Sequence, residues 1–198
     1  MHGRNLLHFL KFIFGFDKPE TQTSVREQEL IKKCAHDALV AVEIGVFEGF
    51  NTSIIASRIA EHGKLFAVDP FFKGKLGFSY NELMATKYIK RQKQKSKIEW
   101  VEGFSWDVID KIPSQIDFIF VDGDHSFDGV KKDYELYAAK LSANGLMAFH
   151  DARVFDKGWT RPDWGPVRLV EEVIKPSNQW EIVEEVDSLV VIKRKLNS

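Results

Sequence analysis

Val42-Glu43-Ile44-Gly45-Val46-Phe47-Glu48-Gly49-Phe50-Asn51-Thr52-Ser53 joins an apolar, strand-like run to a helix through two glycines. Glycine lets the backbone turn sharply and approach a ligand closely, and a helix opening near Asn51 or Thr52 turns free N–H groups toward that ligand. A dinucleotide site would use Gly-x-Gly-x-x-Gly and seat a pyrophosphate on the helix end. Here the third glycine is missing, and Glu43 and Glu48 would repel a phosphate. The spacing Glu-x-Gly-x-x-x-Gly suits instead a nucleoside cofactor with positive charge and no phosphate. S-adenosylmethionine, with an ammonium and a sulfonium, meets that description, and the turn assigns Glu43, Gly45, Phe47, Gly49, Asn51 and Thr52 to its site.

Outward from this turn, strands and helices alternate. Strands are expected at Leu39 to Ile44, Lys64 to Val68, Ile98 to Val101, Ile116 to Val121 and Leu146 to His150. Helices are expected between them, at Thr52 to Glu61, Tyr80 to Lys95, Trp106 to Asp110 and Phe127 to Lys140. Apolar positions at helical spacing make Thr23 to Ala38 a helix leading into the first strand. Near the end, Glu171 to Lys175 reads as helical, and Glu181 to Val186 with Leu189 to Arg194 reads as a hairpin across Asp187-Ser188. Short strands spaced by helices imply an α/β, doubly wound, mostly parallel sheet covered on both faces, here of seven strands with one antiparallel edge strand.

Composition narrows the setting. The 198 residues are 44% hydrophobic, enough for one core plus an extension, and a formal net charge of −1 gives no general attraction to nucleic acid. The single cysteine, Cys34, excludes an internal disulfide and a cysteine-held zinc, and fits a reducing cytoplasm. Leu6, Leu7, Phe9, Leu10, Phe12, Ile13, Phe14 and Phe16 form an apolar stretch too short to span a bilayer and without a cleavage site before Asp17-Lys18-Pro19-Glu20. Packing on its own domain, burial in a homo-oligomer and in-plane membrane association all remain open for it. The lysines and arginine from Lys87 to Lys97 read as a solvated helix face.

In such a sheet ligands gather beyond the carboxyl ends of the strands. Asp69-Pro70 ends the second strand about 20 residues beyond the glycine turn, where a carboxylate accepts hydrogen bonds from ribose hydroxyls. After the third strand, Gly103-Phe104-Ser105-Trp106 offers close backbone, a hydroxyl and aromatic surface to an adenine; the alternative is that Phe104 and Trp106 are core residues. The fourth and fifth strands end in Asp122-Gly123-Asp124-His125-Ser126 and His150-Asp151. Neighbouring parallel strands bring both ends to one rim, so Asp122, His150 and Asp151 could share a divalent cation, Mg or Mn, with an imidazole ligand also leaving iron or a metal-free site open. Alternatively Asp124 caps the helix opening at Phe127, and His150 hydrogen-bonds inside the rim.

Taken together, these motifs from about Leu39 to Val173 resemble the class I S-adenosylmethionine-dependent methyltransferases. The closer likeness is to the small-molecule branch of macrocin, mycinamicin and novobiocin-type sugar O-methyltransferases. Its hallmark is similar to Asp122-Gly123-Asp124-His125-Ser126-Phe127 followed by a helix and then His150-Asp151, where several relatives have aspartate at the position of His150. The resemblance implies a Rossmann-like methyltransferase domain over residues 37–198 after an N-terminal helical extension over residues 1–36. It also implies metal ligation by Asp122, His150 and Asp151 and a general base at Asp124, while catechol-type relatives place a base near His125. The cofactor contacts would include Asp69, Pro70, Gly103, Phe104, Ser105, Trp106 and Asp122. The acceptor would be a small hydroxylated molecule, most plausibly a sugar moiety, contacted by Phe71, Phe72, Tyr80, Trp159, Arg161 and Trp164. Two other classes stand beside this reading: a noncatalytic cofactor-binding or membrane-associated partner, and a nicotinamide-dependent oxidoreductase.

Overall fold

A computed structural model describes residues 2–74, 77–156 and 158–195, with backbone alone for residues 2–5 and 96. Seven strands form one sheet: β1 (Val40–Ile44), β2 (Lys64–Asp69), β3 (Ile98–Glu102), β4 (Ile116–Val121), β5 (Leu141–Phe149), β6 (Trp180–Val186) and β7 (Leu189–Arg194). Their order is β3-β2-β1-β4-β5-β7-β6. β1 to β5 are mutually parallel, whereas β7 runs antiparallel to β5 and to β6, so the hairpin adds the antiparallel strand β7 and places β6 at the sheet edge. The chain reverses its direction of travel across the sheet between β1 and β4, which opens the crevice where ligands of such sheets bind.

Burial on both faces explains the near-continuous apolar strands. In β4, Ile119 and Val121 join one core with Val42, Phe149 and Tyr137. Phe118 and Phe120 point to the other face, with Ile31, Ile55, Leu65 and Val191. The period of two within a single apolar run therefore divides the core into two layers.

The helices are α1 (His2–Ile13), α2 (Val25–Cys34), α3 (Phe50–Ala56), α4 (Tyr80–Arg91), α5 (Phe127–Ala138) and α6 (Gly165–Leu169). Several differ from the sequence expectation for identifiable reasons. α3 opens at Phe50 rather than Thr52 and stops at Ala56, because Arg58 O accepts from Asp37 N–H and Ala60 N–H goes to Ala38 O. Backbone beyond Ala56 thus bonds to the segment entering β1. α4 stops at Arg91 rather than Lys95, since Lys93 adopts φ +59° and Gln94 N–H returns to Ile89 O in a left-handed C-terminal cap. Trp106 to Asp110 is not an α-helix: turns lead into a 3₁₀ segment at Ile109–Lys111, and Ile112 before Pro113 is extended. β5 begins at Leu141 rather than Leu146, because Leu141 pairs with Ile116 across a register irregularity. The last helix begins at Gly165, with Pro166 in its first turn, and continues as a π-helical turn over Val170–Ile174.

α2 is closed by a capping box in which Ser24 Oγ accepts from Glu27 N–H while the Glu27 carboxylate accepts from Ser24 N–H. Its Leu30 and Ile31 enter the core, so this helix is packed into the sheet domain. α1 lies on α4: Phe9 meets Tyr80 at 4.9 Å between ring centroids, and Phe12 is buried beneath the Arg91 guanidinium.

Candidate functional site

Four residues just beyond the strand ends continue the sheet's hydrogen-bond ladder. Gly45 N–H donates to Val68 O (2.9 Å), Gly103 N–H to Asp69 O (3.1 Å), Asp122 N–H to Ile44 O (2.8 Å) and His150 N–H to Val121 O (3.0 Å). The sheet therefore fixes the start of each functional loop. Gly45 has φ +89°, and a Cβ there would sit 2.1 Å from Asp122 O, so glycine is what lets the ends of β1 and β4 close together. Gly49, at φ +82°, faces Ala85 of α4, whose Cα a Cβ would approach to 2.8 Å.

A cavity of about 540 Å³ opens on this rim, within the size range of small-ligand sites. It brings together Gly45, Phe47 and Asn51 from the first loop, Asp69 and Pro70 from the second, and Gly103, Phe104, Ser105 and Trp106 from the third. Asp122, Asp124 and His125 close its other end. Phe104 and Trp106 stack at 4.8 Å with an 8° interplanar angle, and the Lys132 ammonium sits 4.5 Å from the Trp106 ring centroid. They are thus cavity wall rather than core.

Asp69 already holds the glycine turn. Its Oδ2 accepts from Val46 N–H (2.9 Å) and Phe47 N–H (3.3 Å), and its Oδ1 from Phe71 N–H (2.7 Å). One carboxylate thereby organises two loops while lining the cavity. Glu43, Gly49 and Thr52 are not among the lining residues. Glu43 is fully buried with no hydrogen-bond partner on either oxygen among the described residues, and burial pushes its carboxyl well above the usual carboxylate range. Burial thus weakens the phosphate-repelling charge expected of Glu43, and Glu48, also outside the cavity lining, is tied to His8 Nε2 (2.9 Å) and Glu20 N–H (2.6 Å).

Through that contact the segment Glu20-Thr21-Gln22 becomes a wall of the cavity, which the sequence did not suggest. Asp133 of α5 is a second unforeseen lining group. It accepts a short hydrogen bond from Ser105 Oγ, and burial raises its carboxyl to about 6. Its place one helical face beyond Gly129 and Val130 offered no signal in a sequence read for strand ends. Of the aromatics expected near an acceptor, Phe72 lines the cavity, but Phe71 packs on Trp100 in the core and Tyr80 packs between Phe9 and Phe78. Trp159 Nε1 donates to Asp151 Oδ1 (2.7 Å), and Arg161 pairs with Asp163. Trp164 stands 6.1 Å from the His125 ring.

The ends of β4 and β5 carry a ring of four donor atoms. Asp122 Oδ1 lies 3.1 Å from His150 Nδ1, which lies 3.6 Å from Asp151 Oδ2; that oxygen is 3.1 Å from His125 Nε2, which is 3.9 Å from Asp122 Oδ1. On the far side of His150, Nε2 is buried without a hydrogen bond among the described residues, 3.6 Å from Glu27 Oε2. Glu27 belongs to α2 and is fixed there by Ser188 N–H (2.8 Å) and Ser188 Oγ–H (2.7 Å) from the β6–β7 turn. Burial alone would raise the Glu27 carboxyl, but His150, Ser188 and Ser24 N–H outweigh it and draw it down to about 2. Burial likewise opposes charge on His150, yet Asp122, Glu27 and Asp151 hold its imidazolium up to about 10. The hydrogen bond to Asp151 raises His125. The capping-box spacing Ser24-x-x-Glu27 was visible in the sequence, but not that its carboxylate would face His150.

These residues fit a divalent cation. Ligand atoms about 2 Å from a metal stand about 3 Å from one another, close to the spacing around this ring. Asp122, His125 and His150 place ligand atoms within 4.8 Å of one another. His150 thus presents one nitrogen to the ring and the other toward a carboxylate, as metal-bound imidazoles do. An imidazole among the ligands favours first-row transition ions over magnesium. Asp124 stands apart: its Oδ1 accepts from Ser126 N–H (2.8 Å) and its Oδ2 from Ser126 Oγ–H (2.9 Å), while Ser126 itself caps α5.

Comparison with known proteins places this architecture. Residues 42–152 match the family described as methyltransferase domain, which spans the glycine turn, Asp69 and both charged strand ends. The chain belongs to that family. An uncharacterised protein of Acanthamoeba polyphaga mimivirus is 28% identical over 120 residues, covering 58% of this chain and 52% of its own length. An uncharacterised Sinorhizobium fredii protein is 27% identical over 123 residues, 60% of this chain and 14% of that one. The chain therefore spans about half the length of the first of these relatives and much less of the second. Among solved structures, the O-methyltransferase TomG from Streptomyces achromogenes, in complex with SAM, superimposes with TM-score 0.68 at 15% identity over 98% of this chain and 91% of that one. A Bacillus cereus O-methyltransferase in complex with SAH gives TM-score 0.67 at 17% identity over 98% and 92%. At such identity the likeness is one of fold, the Rossmann-like methyltransferase fold.

Proposed function

We propose that this chain transfers the methyl group of S-adenosylmethionine to an oxygen of a small hydroxylated acceptor, a sugar moiety first among them. The observation that carries the reading is a single cavity with Asp69 and the glycine turn at one end and Asp124 and His125 at the other. When bound, the cofactor supplies a methyl group already activated on a sulfonium, so the protein's work is to align an acceptor oxygen and remove its proton. Asp69 would take the ribose hydroxyls, and Phe104 with Trp106 the adenine. Asp124 is the base: its carboxylate is oriented by Ser126 and lines the cavity. A divalent ion, held by Asp122, His150 and Asp151, would lower the acceptor hydroxyl's pKa. Around it, His125 and Asp151 orient each other, and Trp159 fixes the Asp151 carboxylate from outside.

Calorimetry with S-adenosylmethionine, its demethylated product and NAD, followed by transfer of labelled methyl to a panel of sugars and catechols with and without Mn or Mg, tests this. Binding of the first two and not NAD, with label on an acceptor oxygen, is expected. NAD binding, or cofactor binding without transfer to any acceptor class, would replace the reading with an oxidoreductase or a noncatalytic binding protein.

A further inference from the structure

The N-terminal helix is apolar on two sides, and only one is used. Phe9 and Phe12 pack on α4, and Arg91 donates to Phe12 O (3.2 Å) and Ile13 O (3.1 Å), satisfying carbonyls at the helix end. The opposite side repeats Leu6, Leu10 and Phe14 at four-residue spacing, with Leu7 beside them and Phe16 beyond. These five are 42–83% exposed. No described helix is long and apolar enough to cross a membrane, so any contact of this face with a bilayer would be in-plane.

Charge decides what covers it. Residues 1–18 and 80–97, the stretches containing α1 and α4, hold nine of the chain's 28 Lys and Arg but two of its 29 Asp and Glu. A chain of net charge −1 thus carries an excess of seven positive charges in the two stretches that contain α1 and α4. Lys11, Lys90, Lys93 and Lys95 are all exposed there. A second copy docking through the same face would oppose two such poles, and a nucleic acid would meet the lysines while leaving the leucines and phenylalanines in water. A bilayer of anionic phospholipid satisfies both at once.

We propose that the α1–α4 face docks on anionic phospholipid bilayers, the α1 leucines and Phe14 entering the interface and the lysines meeting the headgroups. This docking is independent of the methyl-transfer reading, and its test reads binding rather than turnover. In co-sedimentation, the full chain should bind phosphatidylcholine vesicles containing phosphatidylserine, bind phosphatidylcholine alone at least about tenfold more weakly, and dissociate as salt rises. Leu7→Asp with Leu10→Asp should abolish binding. Lys90→Glu on α4 with Lys95→Glu just beyond its C-terminus should weaken it about tenfold or more, with melting temperature and hydrodynamic radius unchanged in both pairs. Absence of binding by the parent chain, or binding equal in all three proteins, overturns the proposal. So does light scattering that shows a dimer split by Leu7→Asp with no vesicle binding.

Discussion

The two rims of the cavity are built on opposite principles. At the β1–β2 end, backbone does the work: Asp69 gathers the N–H groups of Val46, Phe47 and Phe71, glycines close the approach, and burial pushes the Glu43 carboxyl toward its neutral form. At the β4–β5 end, ionisable side chains do it, with Asp122 and His125 on the cavity wall, the buried His150 and Asp151 against them and Glu27 behind. A backbone-built end suits a cofactor whose shape never varies. A titratable end suits proton and cation chemistry. The difference teaches that pH, chelators and charge-removing substitutions should act on the second rim and spare the first.

The largest separation should come from Asp124→Asn, which keeps the shape and removes the proposed base. Methyl transfer should slow by roughly 10² to 10⁴, the usual contribution of a positioned base, with cofactor affinity unchanged by calorimetry. If His125→Ala produces that loss instead, the base is His125 and the charged rim acts through its imidazole. Next is Glu27→Gln, which removes the carboxylate behind His150. Breaking one partner of a buried pair costs roughly 3 to 5 kcal/mol. Because the folded Glu27 titrates near 2 against 4.5 for its unperturbed form, the stability it gives is fully present above about pH 4.5 and is lost as pH falls through 2. Thermal melts of parent and variant should therefore differ most at neutral pH and converge in acid. A constant difference across that window would show that Glu27 acts by packing alone.

Smaller effects test each rim separately. Asp151→Ala should weaken divalent-metal binding by roughly 10- to 100-fold in competition with a chelating dye, and leave cofactor affinity within about twofold. Loss of cofactor binding in that variant would erase the division between rims. Asp69→Ala should weaken S-adenosylmethionine binding by roughly 1 to 3 kcal/mol, the cost of lost charge-assisted hydrogen bonds, at every pH and metal concentration. A metal-dependent Asp69 effect would mean that the two ends are coupled through the bound ligand.

Much of this was legible in the sequence because it is local. Apolar runs of five or six residues between turn residues specify strands, the glycine spacing specifies the first loop, and the residue after each strand end is carried to the rim by the sheet itself. The hairpin at residues 180–194 follows from the same kind of pattern. Where local signals are weak, tertiary contacts overruled them. The end of α3 is set by hydrogen bonds to the segment before β1, and the start of β5 by pairing with Ile116.

The site divides along the same line. Sequence alone determined which residues stand at the carboxyl ends of the strands, since that placement depends only on strand length and direction. Only the tertiary structure decided what stands behind them. Glu27 meets His150 from α2, Asp133 meets Ser105 from α5, and Glu20 to Gln22 close the cavity because His8 and Glu48 draw them in. Likewise the apolar stretch and the basic stretch were each visible, but their adjacency arises from α1 packing on α4. The physical reason is range: periodicity and turn chemistry act over a few residues, whereas burial, pairing of charges and the protonation states they set depend on residues brought together by folding.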